Sequence, residues 1–182
     1  PTASGQASRV NMYKYVDGRR EEVTVGYGTA DAVTTAMTFD PDTYALKSVK
    51  VGAKPATIYT DADGDGNVDY VKDPTNRYTQ FTYNGFDQVV DTRAGASSAT
   101  STDGVVTHNE YDATTGRLEK TTSAQSSSSA VETVFSYDDA NGHPDDVVKV
   151  SVTEKGTVVD SRVKEWSYTY ASGTGYQTSL QD

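Results

Sequence analysis

The stretch "YDATTGRLEKTT", residues 111–122, sets a Tyr-Asp pair before a short polar segment, a Gly-Arg dipeptide, a leucine and a polar run. Nothing in it resembles catalytic machinery. It has the grammar of a β-hairpin: an aromatic closes one strand, Asp and Gly turn the chain, and Leu118 opens the next strand. An Asp side chain bonds its own backbone two residues on, and Gly takes a positive φ without steric cost.

The same grammar recurs along the chain. Copies read "YKYVDGRREEVTV" from Tyr13, "TFDPDTYALKSVKV" from Thr38, "YTDADGDGNVDYVKD" from Tyr59 and "FTYNGFDQVVDT" from Phe81. Further copies are "FSYDDANGHPDDVVKV" from Phe135 and "YTYASGTGYQTSL" from Tyr168. The anchor aromatics are Tyr15, Phe39, Tyr59, Tyr83, Tyr111, Tyr137 and Tyr170, spaced 20 to 33 residues apart. A repeat of this elasticity carries its extra residues in loops. The flanking segments alternate, as in Phe81-Thr82-Tyr83 and Val148-Lys149-Val150-Ser151-Val152. That period of two is the signature of a sheet with one covered face. Val147 and Val163 fall out of phase, which implies a bulge or register shift near the turn.

Composition agrees with this reading. Thirteen tyrosines and abundant valine and threonine stand against three leucines, one isoleucine and no cysteine in 182 residues. Such residues suit a pleated, half-buried surface, and scarce leucine argues against packed helices. The expectation is an all-β chain, residues 1–182 forming one run of about seven hairpins. Thiolate sites and disulfides are excluded. The net charge of −10 disfavours nucleic acid and anionic membrane as partners. No segment has the apolar length of a membrane-inserted helix. No signal peptide is visible in "PTASGQAS", and the chain reads as an excerpt of a longer one.

Each anchor tyrosine is expected to pack over the covered face and send its hydroxyl to a polar partner. Arg117, just past Gly116, is placed to stack on Tyr111 or a neighbour's tyrosine, or to pair with Asp112. Asp follows the tyrosine directly only at Tyr111 and Tyr137, so a pairing role for Asp112 has less support.

The Tyr111 copy resembles a YD repeat of the Rhs type: Tyr-Asp, a few residues, Gly-Arg, a hydrophobe and a polar β run. "DGNVDYVKDPTNRYTQFTYNGFDQVVDT" is similar to two consecutive repeats joined by an Asp-Pro linker. The other copies are more degenerate. Bacterial toxin-complex shells, Rhs effectors, wall-associated proteins and teneurins belong to this family. The resemblance implies hairpins joined side by side into a curved, spiralling sheet that encloses or presents a toxin or effector. This chain would be an arc of such a shell, non-catalytic, secreted or on a bacterial cell surface. Its partners would be other YD-repeat segments of the parent chain and a toxin cargo. Asp73-Pro74 lacks the family's cleavage signature and reads as a linker.

One motif carries site chemistry. "DADGDGNVD" places oxygen ligands at alternate positions: Asp61, Asp63, Asp65, the Asn67 carbonyl and Asp69, with Gly66 at the sharp turn. This matches the first nine positions of an EF-hand-like calcium loop. The twelfth position is Lys72 instead of Glu, leaving Asp73 or a water as a substitute ligand. Calcium is the expected cofactor. An alternative function is an extracellular adhesion module that binds carbohydrate on an aromatic face, oriented by Ca²⁺.

No catalytic constellation is expected. His108 and His143 have no serine or carboxylate at a recognisable spacing, and adjacent carboxylates such as Asp138-Asp139 point to opposite faces of a strand. Residues 93–104 and 123–130 read as low-complexity, mobile loops.

Overall fold

A computed structural model describes residues 10–125, 130–138, 143–154, 164–170 and 177–181. Every regular element among them is a β-strand. The chain divides into two compact units. The first holds β1 (Asn11–Val16), β2 (Arg19–Val25), β3 (Val33–Phe39), β4 (Leu46–Val51), β5 (Thr57–Thr60) and β6 (Tyr70–Lys72). Strand β7 (Tyr78–Tyr83) begins in the first unit and continues into the second. The second unit adds β8 (Val89–Ala96), β9 (Val105–Tyr111), β10 (Leu118–Ser123), β11 (Val131–Asp138), β12 (His143–Glu154), β13 (Lys164–Tyr170) and β14 (Gln177–Gln181). Within each unit, strands lie in the sheet in chain order and pair antiparallel. Consecutive hairpins laid side by side are therefore the fold.

The seven anchor aromatics each lie at or next to the end of an odd-numbered strand, the incoming strand of a hairpin. Five of them also mark a common irregularity. Tyr15 pairs with Arg20 while Lys14 pairs with Glu22, so Glu21 is an extra residue on the outgoing strand. Phe39 with Leu46, Tyr111 with Leu118, Tyr137 with Val147 and Tyr170 with Gln177 show the same step. A bulge of one residue kinks the outgoing strand and increases its twist at the turn. It also explains why Val147 is out of phase with Val150 and Val152. Val163 lies outside the described residues. Tyr59 departs from the pattern: it pairs with Val71 in unbroken register.

The alternation puts apolar and polar residues on opposite faces, as the period of two requires. In the first unit, cross-strand rows run Tyr13–Val23–Thr35–Val51 and Met37–Val49–Thr57 on one face. Lys14–Glu22–Ala36–Lys50 lies on the other. Among the described residues, the expected covering of the apolar face is not present within either unit. Tyr13, Val25, Val33 and Val51 are each more than 40% exposed, and among the described residues no large side chain is fully buried. Each unit is a single sheet, so stability comes from ladder hydrogen bonds and cross-strand pairs instead of a two-layer core. Thr24 and Thr34 share a side-chain hydrogen bond of 2.8 Å, and Lys120 bridges Glu110 at 2.5 Å and Glu132 at 3.9 Å across three strands.

The expected mobile loop at residues 93–104 is largely ordered. Arg93–Ala96 complete β8, and Ala96 is fully buried. Past the strand, Gln80 Nε2 donates to Ser101 O at 2.9 Å and Arg93 Nη1 to Thr102 O at 2.6 Å. Gly104 returns the chain at φ 102°, so close to Ala94 O that a Cβ would stand 2.7 Å away. Strand side chains thus hold the loop backbone at two successive carbonyls just before the Gly104 turn, whatever its composition. Residues 126–129 of the second loop lie outside the described residues.

Candidate functional site: hairpin joints and an acidic loop

The turns show what the aspartate of the repeat does. In the Asp112–Arg117 turn, Asp112 Oδ1 accepts from Thr114 N (3.0 Å), Thr115 N (2.6 Å) and Thr115 Oγ1 (2.8 Å). The backbone closes with Asp112 N donating to Arg117 O at 2.9 Å, and Gly116 takes φ 73°. Asp40 repeats this geometry, accepting from Asp42 N and Thr43 N at 2.9 Å each, with Tyr44 at φ 63° in the glycine's place. Asp73 and Asn84 cap turns one residue shorter, with Asn76 and Asp87 at positive φ. The Asp73-Pro74 linker is thus itself a tight hairpin turn, between β6 and β7. Backbone and hydroxyl donors hold the Asp73 and Asp112 carboxyls below the usual carboxylate range. Asp40 is held lower still, first by the hydrogen bond from Lys47 and then by Thr43 and Asp42. The first hairpin uses a different solution: Asp17 and Gly18, both at positive φ, make a two-residue turn of the primed kind. Asp112 therefore caps its own turn first, and the nearby Arg117 charge is the last of the influences lowering its carboxyl.

The arginine and the tyrosine instead join one hairpin to the next. Arg117 lies 4.8 Å above the Tyr137 ring of the following hairpin. Tyr137 Oη donates back to Leu118 O at 2.6 Å. One hairpin earlier, Tyr111 Oη and Asn109 Nδ2 both donate to Val89 O at 2.9 Å. Gln88, standing where Arg117 stands in the next repeat, donates to Gly116 O at 2.6 Å. In the first unit Arg19 lies 4.2 Å from the Tyr44 ring and 5.5 Å from Phe39. Its Nε and Nη1 are buried without a hydrogen-bond partner, so the two rings supply the compensating attraction. Tyr83 ends β7 beside the Asn84 turn. Tyr170 lies in β13, and its side chain is outside the described ones. Sequence reasoning missed the turn-exit carbonyls of Val89 and Leu118, which no side-chain pattern advertises.

The acidic loop joins β5 to β6 and is exposed from Asp61 to Gly66, with Asn67 to Asp69 half-buried. One carboxylate oxygen from each of Asp61, Asp63 and Asp65 lies within 4.8 Å of the others. Asp61 accepts from Gly64 N (2.7 Å) and Gly66 N (3.0 Å), while Asp65 accepts from Asn67 N (2.7 Å) and Nδ2 (3.2 Å). The bonds from Asn67 hold the Asp65 carboxyl below its ordinary range. Asp69 Oδ2 accepts from Ala62 N at 2.5 Å and stands outside the triad. Lys72 Nζ sits 5.8 Å from the Tyr78 ring centroid, and Asp73 is committed to the next turn, so neither completes the loop. Oxygens bound to one Ca²⁺ at about 2.3–2.6 Å lie at most about 5 Å apart, so the triad's span fits a single ion.

His108 Nδ1 faces Asp91 Oδ1 at 2.7 Å across β8 and β9. His143 opens β12, paired with Asp138.

Neither protein-family models nor curated proteins match this sequence. Among solved structures, a crystal structure of TcdB2-TccC3-Cdc42 is similar, with a TM-score of 0.58 and 22% identity. The match covers 79% of this chain but only 7% of that one. Likeness at this identity is a likeness of fold: the antiparallel all-β architecture is shared with a small part of a much larger chain.

Proposed function

We propose that this chain is a non-catalytic wall segment of an Rhs-type YD-repeat protein. The observation that carries the reading is the directional joint: turn-exit residues of one hairpin grip the aromatic or turn of the next. Such a joint propagates a sheet one hairpin at a time without a second layer, which is what a wall requires. The fold shared with part of the TcdB2-TccC3-Cdc42 structure supports it. On this reading the parent is secreted or displayed on a bacterial surface, and the wall encloses or presents a toxin or effector. Electron cryo-microscopy of the full gene product tests it. The expected result is β1–β12 seated within a continuous β-wall. Finding them as a detached appendage would overturn the proposal.

The acidic loop adds a calcium site to that segment, held by Asp61, Asp63 and Asp65, with Asn67 and Asp69 shaping the loop around it. The span of the carboxylate triad favours this role. The ion would offset the repulsion of these carboxylates and brace the longest turn described in the first unit.

A further inference from the structure

We propose that the polar face of the second unit carries a binding site for a neutral sugar, a monosaccharide or disaccharide unit, in the groove over β8 and β9. The groove is open and encloses about 560 Å³. That volume falls within the ~300–1,000 Å³ usual for small-molecule sites.

Its floor is Val106, 8% exposed and paired across the sheet with Arg93. Two residues along the same face lies Asp91, paired with His108. The groove therefore offers a guanidinium and a carboxylate from residues whose Cα atoms lie about 7 Å apart, the repeat along one strand face. A ligand with net charge gains from one of these groups and loses to the other. A polyhydroxyl ligand donates to the carboxylate and accepts from the guanidinium, so both favour it. Thr102 and Gln125 add a hydroxyl and an amide, each able to donate and accept. The apolar floor suits the C–H face of a pyranose ring.

The charged groups are held in place before any ligand arrives. Arg93 Nη1 is tied to Thr102 O at 2.6 Å, leaving further N–H groups on a planar fork. Asp91 Oδ1 is fixed by His108 at 2.7 Å and Oδ2 by Thr82 Oγ1 at 3.3 Å, and each oxygen keeps a second lone pair. Side chains already ordered cost little entropy on binding. No aromatic ring lines the groove, so stacking adds nothing. The affinity is accordingly weak, with Kd on the order of 1–10 mM.

Titration of the 182-residue protein with glucose, galactose, N-acetylglucosamine and lactose, followed by amide NMR, tests the site. The expected result is saturable shifts at Val106, Thr102 and the Gln125 side-chain amide with at least one neutral sugar. Glucuronate and glucosamine should bind more weakly than their neutral parent. Gln125→Ala should raise Kd on the order of 5-fold, the worth of one hydrogen bond, while leaving the remaining spectrum folded. Thr102→Val, which preserves shape and the Thr102 carbonyl, serves as the second variant and should weaken binding similarly. Absence of saturable shifts to about 100 mM sugar, far above the expected Kd, would overturn the proposal. So would tighter binding of the charged sugars, shifts confined to the exposed tyrosines of the first unit, or binding unchanged in both variants.

Discussion

The joint between the fifth and sixth hairpins offers the sharpest perturbation. Tyr137→Phe keeps the ring under Arg117 and removes only the hydroxyl that donates to Leu118 O at 2.6 Å. A part-buried neutral hydrogen bond contributes about 1 kcal/mol net. Arg117→Met keeps the aliphatic stem and removes the cation 4.8 Å from the ring, worth about 0.5–1 kcal/mol at a site open to solvent. With a urea m-value of about 2 kcal/mol/M, Tyr137→Phe lowers the unfolding midpoint by roughly 0.5 M. Arg117→Met lowers it by roughly 0.25–0.5 M. The decisive measurement is a double-mutant cycle between Arg117→Met and Tyr137→Leu. Direct contact predicts a coupling of about 0.5–1 kcal/mol, whereas two independent surface sites add within about 0.3–0.5 kcal/mol. Coupling at or below 0.3 kcal/mol, together with a Tyr137→Phe midpoint equal to that of the parent, would refute the joint.

Other consequences follow from the turns and loops. Asp112→Ala lowers the thermal midpoint because three donors to Oδ1 lose their acceptor, whereas Asp112→Asn, keeping an oxygen there, loses less; differential scanning calorimetry separates the two. Gly104→Ala forces a side chain into φ 102° and against Ala94 O, destabilising the second unit by about 1–3 kcal/mol in urea titration. The folded-state carboxyls of Asp40, Asp73 and Asp112 lie below their unfolded value of 3.8. The unfolded chain therefore takes up protons first, and the stability they supply is complete above that value and lost as pH falls through the folded-state values. Melting temperatures measured from pH 6 down to pH 2 should decline most steeply below about 4, and Asp73→Asn should flatten the decline. Millimolar CaCl₂ should raise the melting temperature, and Asp63→Ala with Asp65→Ala should abolish the rise; an unchanged parent melting curve would remove calcium from the acidic loop.

Much of the fold was legible in one dimension because hairpin information is local. Strand alternation has a period of two, turns need Asp, Asn or Gly at set offsets, and the seven anchors mark seven incoming strands. The aspartate's role was harder to read. Its acceptor bonds go to backbone N–H groups, and the same cap is built by Asp40 after a phenylalanine, Asp73 after a lysine and Asn84 after a tyrosine. A search for Tyr-Asp alone misses them. The bulge is nearly silent in sequence, since one extra residue shows only as an out-of-phase valine such as Val147. Composition misled at residues 93–104, where serine and glycine content suggested mobility and side chains of β7 and β8 pin the backbone.

By itself the sequence determined the strand periodicity, the repeat, the turn positions and the acidic loop, because each depends on residues within one hairpin. Only the tertiary structure decided which partners the repeat's tyrosine and arginine meet. Arg117 reaches Tyr137 and Tyr111 reaches Val89 about 20 residues away, across the β10–β11 and β8–β9 pairings that join successive hairpins. The same holds for the groove, where Asp91, Arg93, Val106 and Gln125 meet because β8, β9 and the chain after β10 lie side by side. Local rules govern a hairpin, but contacts between hairpins depend on register, and register is a property of the assembled sheet.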